Sequence, residues 1–128
     1  MSVTEIQVVS FGYLHGAPPE ATLVLDLRRH FRDPHVDPAL RHQTAHDMPV
    51  RQAVMATPGI RELIVSAALL ADAYDAGPTT APLTIAVGCA GGRHRAPTVA
   101  MTLAQRLAKT GAPVRLTHRD LDKPVINR

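Results

Sequence analysis

Aromatic side chains are scarce in this chain, which has no tryptophan, two phenylalanines and two tyrosines among its 128 residues. Branched aliphatic residues and alanine must therefore fill the interior, and single-stranded nucleic acid would find few rings on which its bases could stack. Cysteine occurs once, at Cys89. A lone cysteine excludes a disulfide within the chain and favours a reducing compartment.

Long apolar runs and blocks of like charge are also missing. No stretch is long and apolar enough to span a membrane, and the first residues lack the basic start and apolar stretch of a signal peptide. These absences predict a cytoplasmic protein with no membrane partner. The net charge of +3 comes from 14 basic and 11 acidic side chains. Most of the basic residues are arginines, which suit bidentate contact with phosphate or carboxylate.

Strand and helix patterns alternate along the chain. Since no internal repeat or linker stands out, residues 1–128 are predicted to form one domain. The predicted strands are residues 1–10, which include Val3, then 21–27, 83–87 and 114–117. The predicted helices begin near Pro49 after a cap at Asp47, at Thr57-Pro58 after a hydroxyl cap, and at Ala96, from which the last helix runs to Lys109. This order predicts an α/β fold with a mainly parallel sheet flanked by helices.

Apolar spacing predicts which helix faces are buried. In the middle helix the predicted face consists of Ile60, Leu63, Ile64, Ala67, Leu70, Ala71 and Tyr74, and in the last helix of Val99, Leu103 and Leu107. Residues 28–48 are predicted to form a long ordered loop, which in a compact domain is more often functional than idle.

A glycine-rich loop joins the third predicted strand to the last helix, with the sequence Gly88-Cys89-Ala90-Gly91-Gly92-Arg93-His94-Arg95. Its glycines allow backbone N–H groups to turn inward as a nest for an anion, and the helix that follows adds the positive end of its dipole. Arg93, His94 and Arg95 supply positive charge. At the helix entrance, the Arg95 guanidinium is predicted to contact a phosphate directly. The sequence thus predicts a unit of strand, anion loop and helix.

The spacing Cys-x5-Arg is also typical of cysteine-dependent phosphatases. In that interpretation Cys89 is the nucleophile, Arg95 holds the phosphate and Asp26, at the end of the second strand, is the candidate general acid. Such enzymes usually have Ser or Thr after the arginine and His before the cysteine, where this chain has Ala96 and Gly88. These differences favour binding over catalysis, and a buried inert cysteine is a further alternative.

Several motifs occur in order along nearly the whole chain. They are Ser10-Phe11-Gly12-Tyr13-Leu14-His15-Gly16, Asp26-Leu27-Arg28, Asp33-Pro34-His35, Gly88-Cys89 through His94-Arg95, and His118-Arg119. Together they resemble the C-terminal domain of the RapZ family, bacterial RNase adapter proteins of amino-sugar metabolism. In that family this domain follows a P-loop kinase-like domain. Because no GxxxxGK[ST] motif occurs here, the resemblance implies a stand-alone version.

The resemblance implies that the domain binds glucosamine-6-phosphate and acts as a metabolite sensor or regulatory adapter. The implied site consists of Cys89, Ala90, Gly91, Gly92, Arg93, His94 and Arg95, completed by Asp26 and His35. Asp26 is expected to face sugar hydroxyls or the amine, because a carboxylate repels phosphate. The family commonly has Ser after the loop arginine, where Ala96 stands here.

Other partners follow from the same resemblance. A separate kinase-like protein and RNA are candidates, since the family's domain contacts small regulatory RNAs. RNA-binding members end in a basic tail, whereas residues 120–124 are of mixed charge. A homodimer also stays open.

No cofactor is predicted, and no metal site. His30, His35, His42 and His46 lie close in sequence, but no second cysteine exists and no carboxylate completes a diagnostic spacing.

Overall fold

The computed structural model of the chain describes residues 5–79 and 81–127. The strands are β1 (Ile6–Gly12), β2 (Leu23–Asp26), β3 (Leu83–Cys89) and β4 (Val114–His118). The helices are α1 (Met48–Met55), α2 (Ile60–Asp75) and α3 (Arg95–Ala108), and short 3-10 turns span Tyr13–His15 and Pro34–Val36. Val3, placed in the first predicted strand, lies outside the described residues.

The four strands form one sheet in the order β2–β3–β1–β4, and every pair is parallel. The predicted α/β fold with a parallel sheet is therefore confirmed. In the pairing register Gly12 lies beside Cys89, and Asp26 lies beside Gly88. The carboxyl ends of β1, β2 and β3 thus meet at one edge of the sheet, and the loop after β3 starts at that edge.

One face of the sheet carries the hydrophobic core. Val8, Ile85 and Val87 point to this face and are fully buried against the helices, in one cluster with Ile64 and Val99. Because side chains alternate along a strand, Cys89 shares this face and joins the same cluster.

The opposite face has a different covering at its carboxyl edge. A Cβ atom built on Gly88 would collide with the rings of Phe11 and Tyr13, so those rings lie across the glycine. The two rings pack edge to face, with centroids 4.8 Å apart. Gly88 therefore faces the rings of Phe11 and Tyr13, whereas Cys89, the next residue of β3, faces the hydrophobic core.

Two strands end later than their patterns predict. β1 continues to Gly12, inside the segment expected to be a loop, and β3 continues past Val87 to Cys89. Glycine in these positions weighs against a strand by propensity. Here Gly12 and Gly88 are needed because neighbouring backbone or rings approach too closely for a side chain.

The predicted start of α2 at Thr57-Pro58 is wrong. The helix begins at Ile60, after Gly59 in a left-handed conformation with φ of 91°. The Thr57 hydroxyl donates backward to the Ala53 carbonyl at 2.9 Å, so it closes α1 and does not cap α2. Likewise Asp47 precedes α1, but its carboxylate accepts from the Thr44 N–H and makes no cap bond to the helix.

The buried stripe of α2 is narrower than predicted. Ile60, Ile64, Ala67 and Ala71 are buried, whereas Leu70 and Tyr74 are 43% and 48% exposed. The helix packs along the single line of positions spaced three and four apart, and side chains beside that line face solvent. In α3 the predicted stripe of Val99, Leu103 and Leu107 is buried, as expected.

Within the described residues, no helix taken singly is long and apolar enough to cross a membrane, although α1 and α2, bent at 81° to each other, pass that test as a pair.

Candidate functional site

The loop after β3 is a tight series of bends that leads directly into α3. Gly92 has a positive φ of 73°, in the region where only glycine is unstrained. Gly91 and Gly92 are buried, as is the helix entrance at His94 and Arg95. The loop is therefore compact, with a left-handed residue at its centre, as in backbone nests that hold anions.

The backbone N–H groups of this loop have no acceptors among the residues that the structure describes. Over residues 5–79 and 81–127, no hydrogen bond joins the N–H of any residue from 90 to 95 to a protein atom. Buried N–H groups almost always have a partner. A run of unpaired donors at the N-terminus of a helix is the arrangement that an oxyanion satisfies.

The end of β1 supports the loop from below. A Cβ atom built on Gly12 would lie 2.6 Å from the Gly91 oxygen and from the Gly92 nitrogen. A Cβ on Gly92 would lie 2.7 Å from the Gly12 nitrogen. The two backbones are thus in direct contact, and glycine at both positions is what allows the loop to rest on the sheet edge.

Asp120 anchors this contact, and sequence analysis did not single it out. The carboxylate is fully buried and accepts from the Gly12 N–H at 2.7 Å. Arg119 and Lys123 form ion pairs with it at 2.9 and 2.7 Å. Burial raises the pKa of Asp120, but the hydrogen bonds from Arg119, Gly12 and Lys123 outweigh it and lower the pKa to about 2.

Two basic side chains of the loop hold neighbouring segments in place. Arg93 donates to the carbonyls of Lys123 at 2.6 Å and His42 at 3.2 Å. His94 Nε2 lies 2.7 Å from the Gln43 carbonyl, so this nitrogen carries the proton. No carboxylate forms an ion pair with Arg93 in the described part of the chain, and its positive charge stays uncompensated beside the loop.

Arg95 has partners other than the predicted phosphate. Its Nη1 donates to the carbonyls of Leu27, Arg28 and Phe31 at 2.9 to 3.3 Å, and Nη2 pairs with Asp33 at 3.1 Å. The guanidinium is buried. It is bound to the segment after β2, whose three carbonyls converge on it. The side chain fixes that segment against α3, and only the N–H of Arg95 belongs to the unpaired series.

A small cavity of about 10 Å³ lies at the loop. Its walls are formed by Asp33, His35, Cys89, Gly91, Arg93, His94, Val125 and Ile126. The structure thus brings His35 to the loop. It also adds three residues that sequence analysis did not place in the site, namely Asp33, Val125 and Ile126. This volume accommodates about one water molecule.

Asp26 lies elsewhere. It is paired with Gly88, so it shares the face on which Phe11 and Tyr13 lie, opposite to the face of Cys89. Its carboxylate is exposed and makes a two-pronged contact with Arg28 at 2.8 and 3.0 Å. The Arg28 guanidinium in turn lies 3.5 Å from the centre of the Tyr13 ring. Asp26 was expected to complete the loop site, but the structure places it outside that site.

The contact between Asp26 and Arg28 also affects whether Asp26 could act as a general acid. The hydrogen bond from Arg28 lowers the pKa of Asp26, whereas a general acid needs a raised pKa to hold its proton at neutral pH. The Cys89 thiol is buried, and its Sγ accepts from the Ala96 N–H at 3.3 Å at the start of α3. Cys89 therefore has one donor that would stabilise a thiolate, but Asp26 is not placed to assist it.

The His118-Arg119 motif supports the edge of the sheet. His118 Nδ1 lies 2.6 Å from the buried Ser10 hydroxyl, and burial lowers the pKa of His118. Arg119 donates to the carbonyls of Gly12, Gly16 and Ala17. These contacts tie β4 and the turn after β1 to the base of the loop.

The other histidines do not converge. His46 pairs with Asp122 at 2.8 Å, away from His35 in the cavity wall. Among the residues that the structure describes, no group of three or more His, Cys, Asp or Glu side chains is arranged to hold a metal ion.

Some of the missed residues carried a signal in the sequence. Asp33 opens the Asp33-Pro34-His35 motif, and an acidic residue among the arginines and histidines of residues 28–48 suggests an internal ion pair. Asp120 follows the His118-Arg119 pair directly. Val125 and Ile126 carried none, because two apolar residues near the end of a chain have no distinguishing pattern.

Fold and loop together define an α/β domain with an anion-loop geometry at the carboxyl edge of a parallel sheet. Residues 4–122 match the sequence profile of the RapZ C-terminal domain, and the chain belongs to that family. It is 43% identical over 120 residues to a nucleotide-binding protein of Thermobifida fusca, covering 91% of this chain and 40% of that protein. It is 45% identical over 121 residues to a nucleotide-binding protein of Thermus thermophilus, covering 92% and 43%. The chain thus spans about two fifths of the length of these curated relatives.

Proposed function

We propose that the loop of residues 89–95 binds the phosphate group of a small metabolite, and that glucosamine-6-phosphate is that metabolite. The observation that carries the proposal is the run of backbone N–H groups over residues 90–95 for which the described part of the chain offers no acceptor. Such donors, held in place before the ligand arrives, favour an anion without the cost of ordering a mobile chain.

Charge around the loop supports the same conclusion. Within the described residues no carboxylate pairs with Arg93, and the N-terminal end of α3 adds its partial positive charge. Asp33 and His35 line the same cavity. These polar groups are suited to the hydroxyl or amine groups of a phosphorylated amino sugar, in the role first expected for Asp26.

Membership of the RapZ C-terminal domain family supports the sugar phosphate over other anions, with a sensor or adapter role implied for the protein. The relatives are named as nucleotide-binding proteins, but this chain matches only about 40% of their length. A nucleotide is therefore a competing ligand that the test includes.

The test is a titration calorimetry panel with the purified protein. The ligands are glucosamine-6-phosphate, glucosamine, fructose-6-phosphate, inorganic phosphate and ATP. We expect glucosamine-6-phosphate to bind and free glucosamine to fail, because the N–H donors need the anion. Equal binding of both would contradict the phosphate site, and equal binding of fructose-6-phosphate would remove only the amino-sugar assignment. Tighter binding of ATP would favour the nucleotide.

A second candidate, a cysteine-dependent phosphatase, has the Ala96 N–H directed at Cys89 Sγ in its favour. A Cys89→Ser variant separates the two functions. A binding domain should keep its affinity for glucosamine-6-phosphate within about threefold, since the backbone donors remain. A phosphatase should turn over a generic aryl phosphate in the native form and lose that turnover in the variant.

A further inference from the structure

The residues that follow Lys123 form one wall of the candidate site. Val125 and Ile126 line the cavity together with Gly91 and His94, and both residues are half-buried. We propose that residues 124–127, here named the C-terminal strap, close the loop site and must move before a phosphorylated ligand enters. This inference rests on the proposed function of the loop.

The size of the cavity is the first reason. Its volume of about 10 Å³ matches a single water molecule. A phosphate group has four oxygens around phosphorus, and a sugar phosphate is larger still. Because loop residues and Val125 and Ile126 together line a cavity too small for such a ligand, the described conformation is a closed one.

The way in which the strap is held is the second reason. The preceding residues have polar contacts: the Asp120 carboxylate accepts from the Gly12 N–H, the exposed Asp122 pairs with His46, and the Lys123 carbonyl accepts from Arg93 at 2.6 Å. Across the described residues, no hydrogen bond or ion pair involves any residue of the strap. In the described part of the chain, the packing of Val125 and Ile126 is what holds the strap at the loop site.

Lys123 is therefore the natural hinge. Among the described residues it is the last one with polar anchors, and Pro124 directly after it has no N–H with which to extend them. Arg93 holds the hinge carbonyl and also lines the cavity. An anion that draws the Arg93 guanidinium toward the loop would weaken the hold on the hinge, which couples entry of the ligand to release of the strap.

A pair of variants tests the strap. In the first, Val125→Ser and Ile126→Ser are combined, and in the second the chain stops after Lys123. Leu69→Ser, at a position on α2 that is 65% exposed, is the control. Affinities for inorganic phosphate and for glucosamine-6-phosphate are measured by titration calorimetry, and thermal unfolding shows that each variant is folded.

We expect both strap variants to bind glucosamine-6-phosphate and inorganic phosphate about tenfold more tightly than the native chain. This factor corresponds to a native chain in which the open, binding-competent state is populated roughly one tenth of the time. The control should bind as the native chain does. Equal affinity in the native chain, both strap variants and the control would contradict the closing role of the strap and leave the proposed function of the loop in place. Weaker binding by the strap variants would also overturn it, since the strap would then contribute contacts. If no form binds either ligand, the proposed function itself fails.

Hydrogen exchange gives a readout that does not depend on ligand. Gly91, Arg93 and His94 line the cavity together with Val125 and Ile126, and within the described residues their N–H groups have no acceptor, so a closed strap should limit their access to water. We expect these amides to exchange at least several-fold faster in the truncated chain than in the native chain. Unchanged exchange would contradict a closing role.

Discussion

The ends of β2 and β3 lie side by side in the sheet, yet they provide opposite surroundings for their functional side chains. Asp26 at the end of β2 is exposed and bound to Arg28, while Cys89 at the end of β3 is buried under the loop and α3. The pairing register explains the difference, because Asp26 lies beside Gly88 and not beside Cys89. A shift of one residue places the two side chains on opposite faces.

The comparison shows that position at a strand end is not enough to make a site. Below the Cys89 loop, Gly12 and Asp120 hold the backbone rigidly, and the loop N–H groups stay without acceptors. Around Asp26, a carboxylate and a guanidinium satisfy each other in solvent. Preorganised donors without acceptors among the described residues are the basis of the proposed binding site, whereas the exposed pair of Asp26 with Arg28 belongs to local structure.

The largest effect is expected from Gly12→Ala, which attacks the support of the loop. The added Cβ would press against the Gly91 carbonyl and the Gly92 nitrogen, and neither backbone can give way by rotating a side chain. We expect a loss on the order of 3 kcal/mol in the free energy of unfolding, measured by urea denaturation.

Gly111→Ala is the matched control, since Gly111 has φ of 90° but nothing within 4 Å of an added Cβ. It should lose about 1 kcal/mol through backbone strain alone. Equal losses in the two variants would show that the close approach at Gly12 is unimportant.

A smaller and pH-dependent effect is expected from Asp120→Asn. The folded-state pKa of about 2 lies below the ordinary value of 3.8, so the carboxylate stabilises the fold above pH 3.8 and this contribution is lost as the pH falls toward 2. We expect the variant to be roughly 2 kcal/mol less stable at pH 7, with the difference from the native chain shrinking below pH 3.8.

Urea denaturation at pH 7, 4, 3 and 2 measures this difference. Asp122→Asn is the control, because that carboxylate is 82% exposed and its removal should leave stability nearly unchanged. A deficit in Asp120→Asn that is the same at every pH would contradict the assignment to the ionised carboxylate.

The smallest effect is expected from Asp26→Asn, which tests the exposed side of the comparison. An exposed pair such as Asp26 with Arg28 contributes about 0.5 kcal/mol or less to stability. Affinity for glucosamine-6-phosphate should stay within about twofold of the native value in calorimetry. A tenfold loss of affinity would return Asp26 to the site and require the ligand to reach the other face.

Local patterns in the sequence were sufficient for the architecture. Alternating strand and helix patterns predicted the parallel α/β sheet, and the spacing of Val99, Leu103 and Leu107 predicted the buried face of α3. Such patterns follow from backbone periodicity, which neighbours in sequence determine. The boundaries at Gly12 and Thr57 were less predictable. Gly12 resembles a turn residue in the sequence, but it is needed because a distant backbone segment approaches it. Thr57 resembles a helix cap, but its hydroxyl donates back to the Ala53 carbonyl.

For the site, the sequence by itself determined that a glycine-rich loop joins β3 to α3 and that its donors could hold an anion. Only the tertiary structure decided how the charged side chains are used. Arg95 is committed to carbonyls near Leu27 and to Asp33, Asp26 faces the other side of the sheet, and Asp120 supports the loop from below. These assignments depend on contacts between segments that lie 60 to 110 residues apart in the chain. They also depend on the strand register, which decides the face of the sheet on which each side chain lies. Local sequence patterns contain neither kind of information.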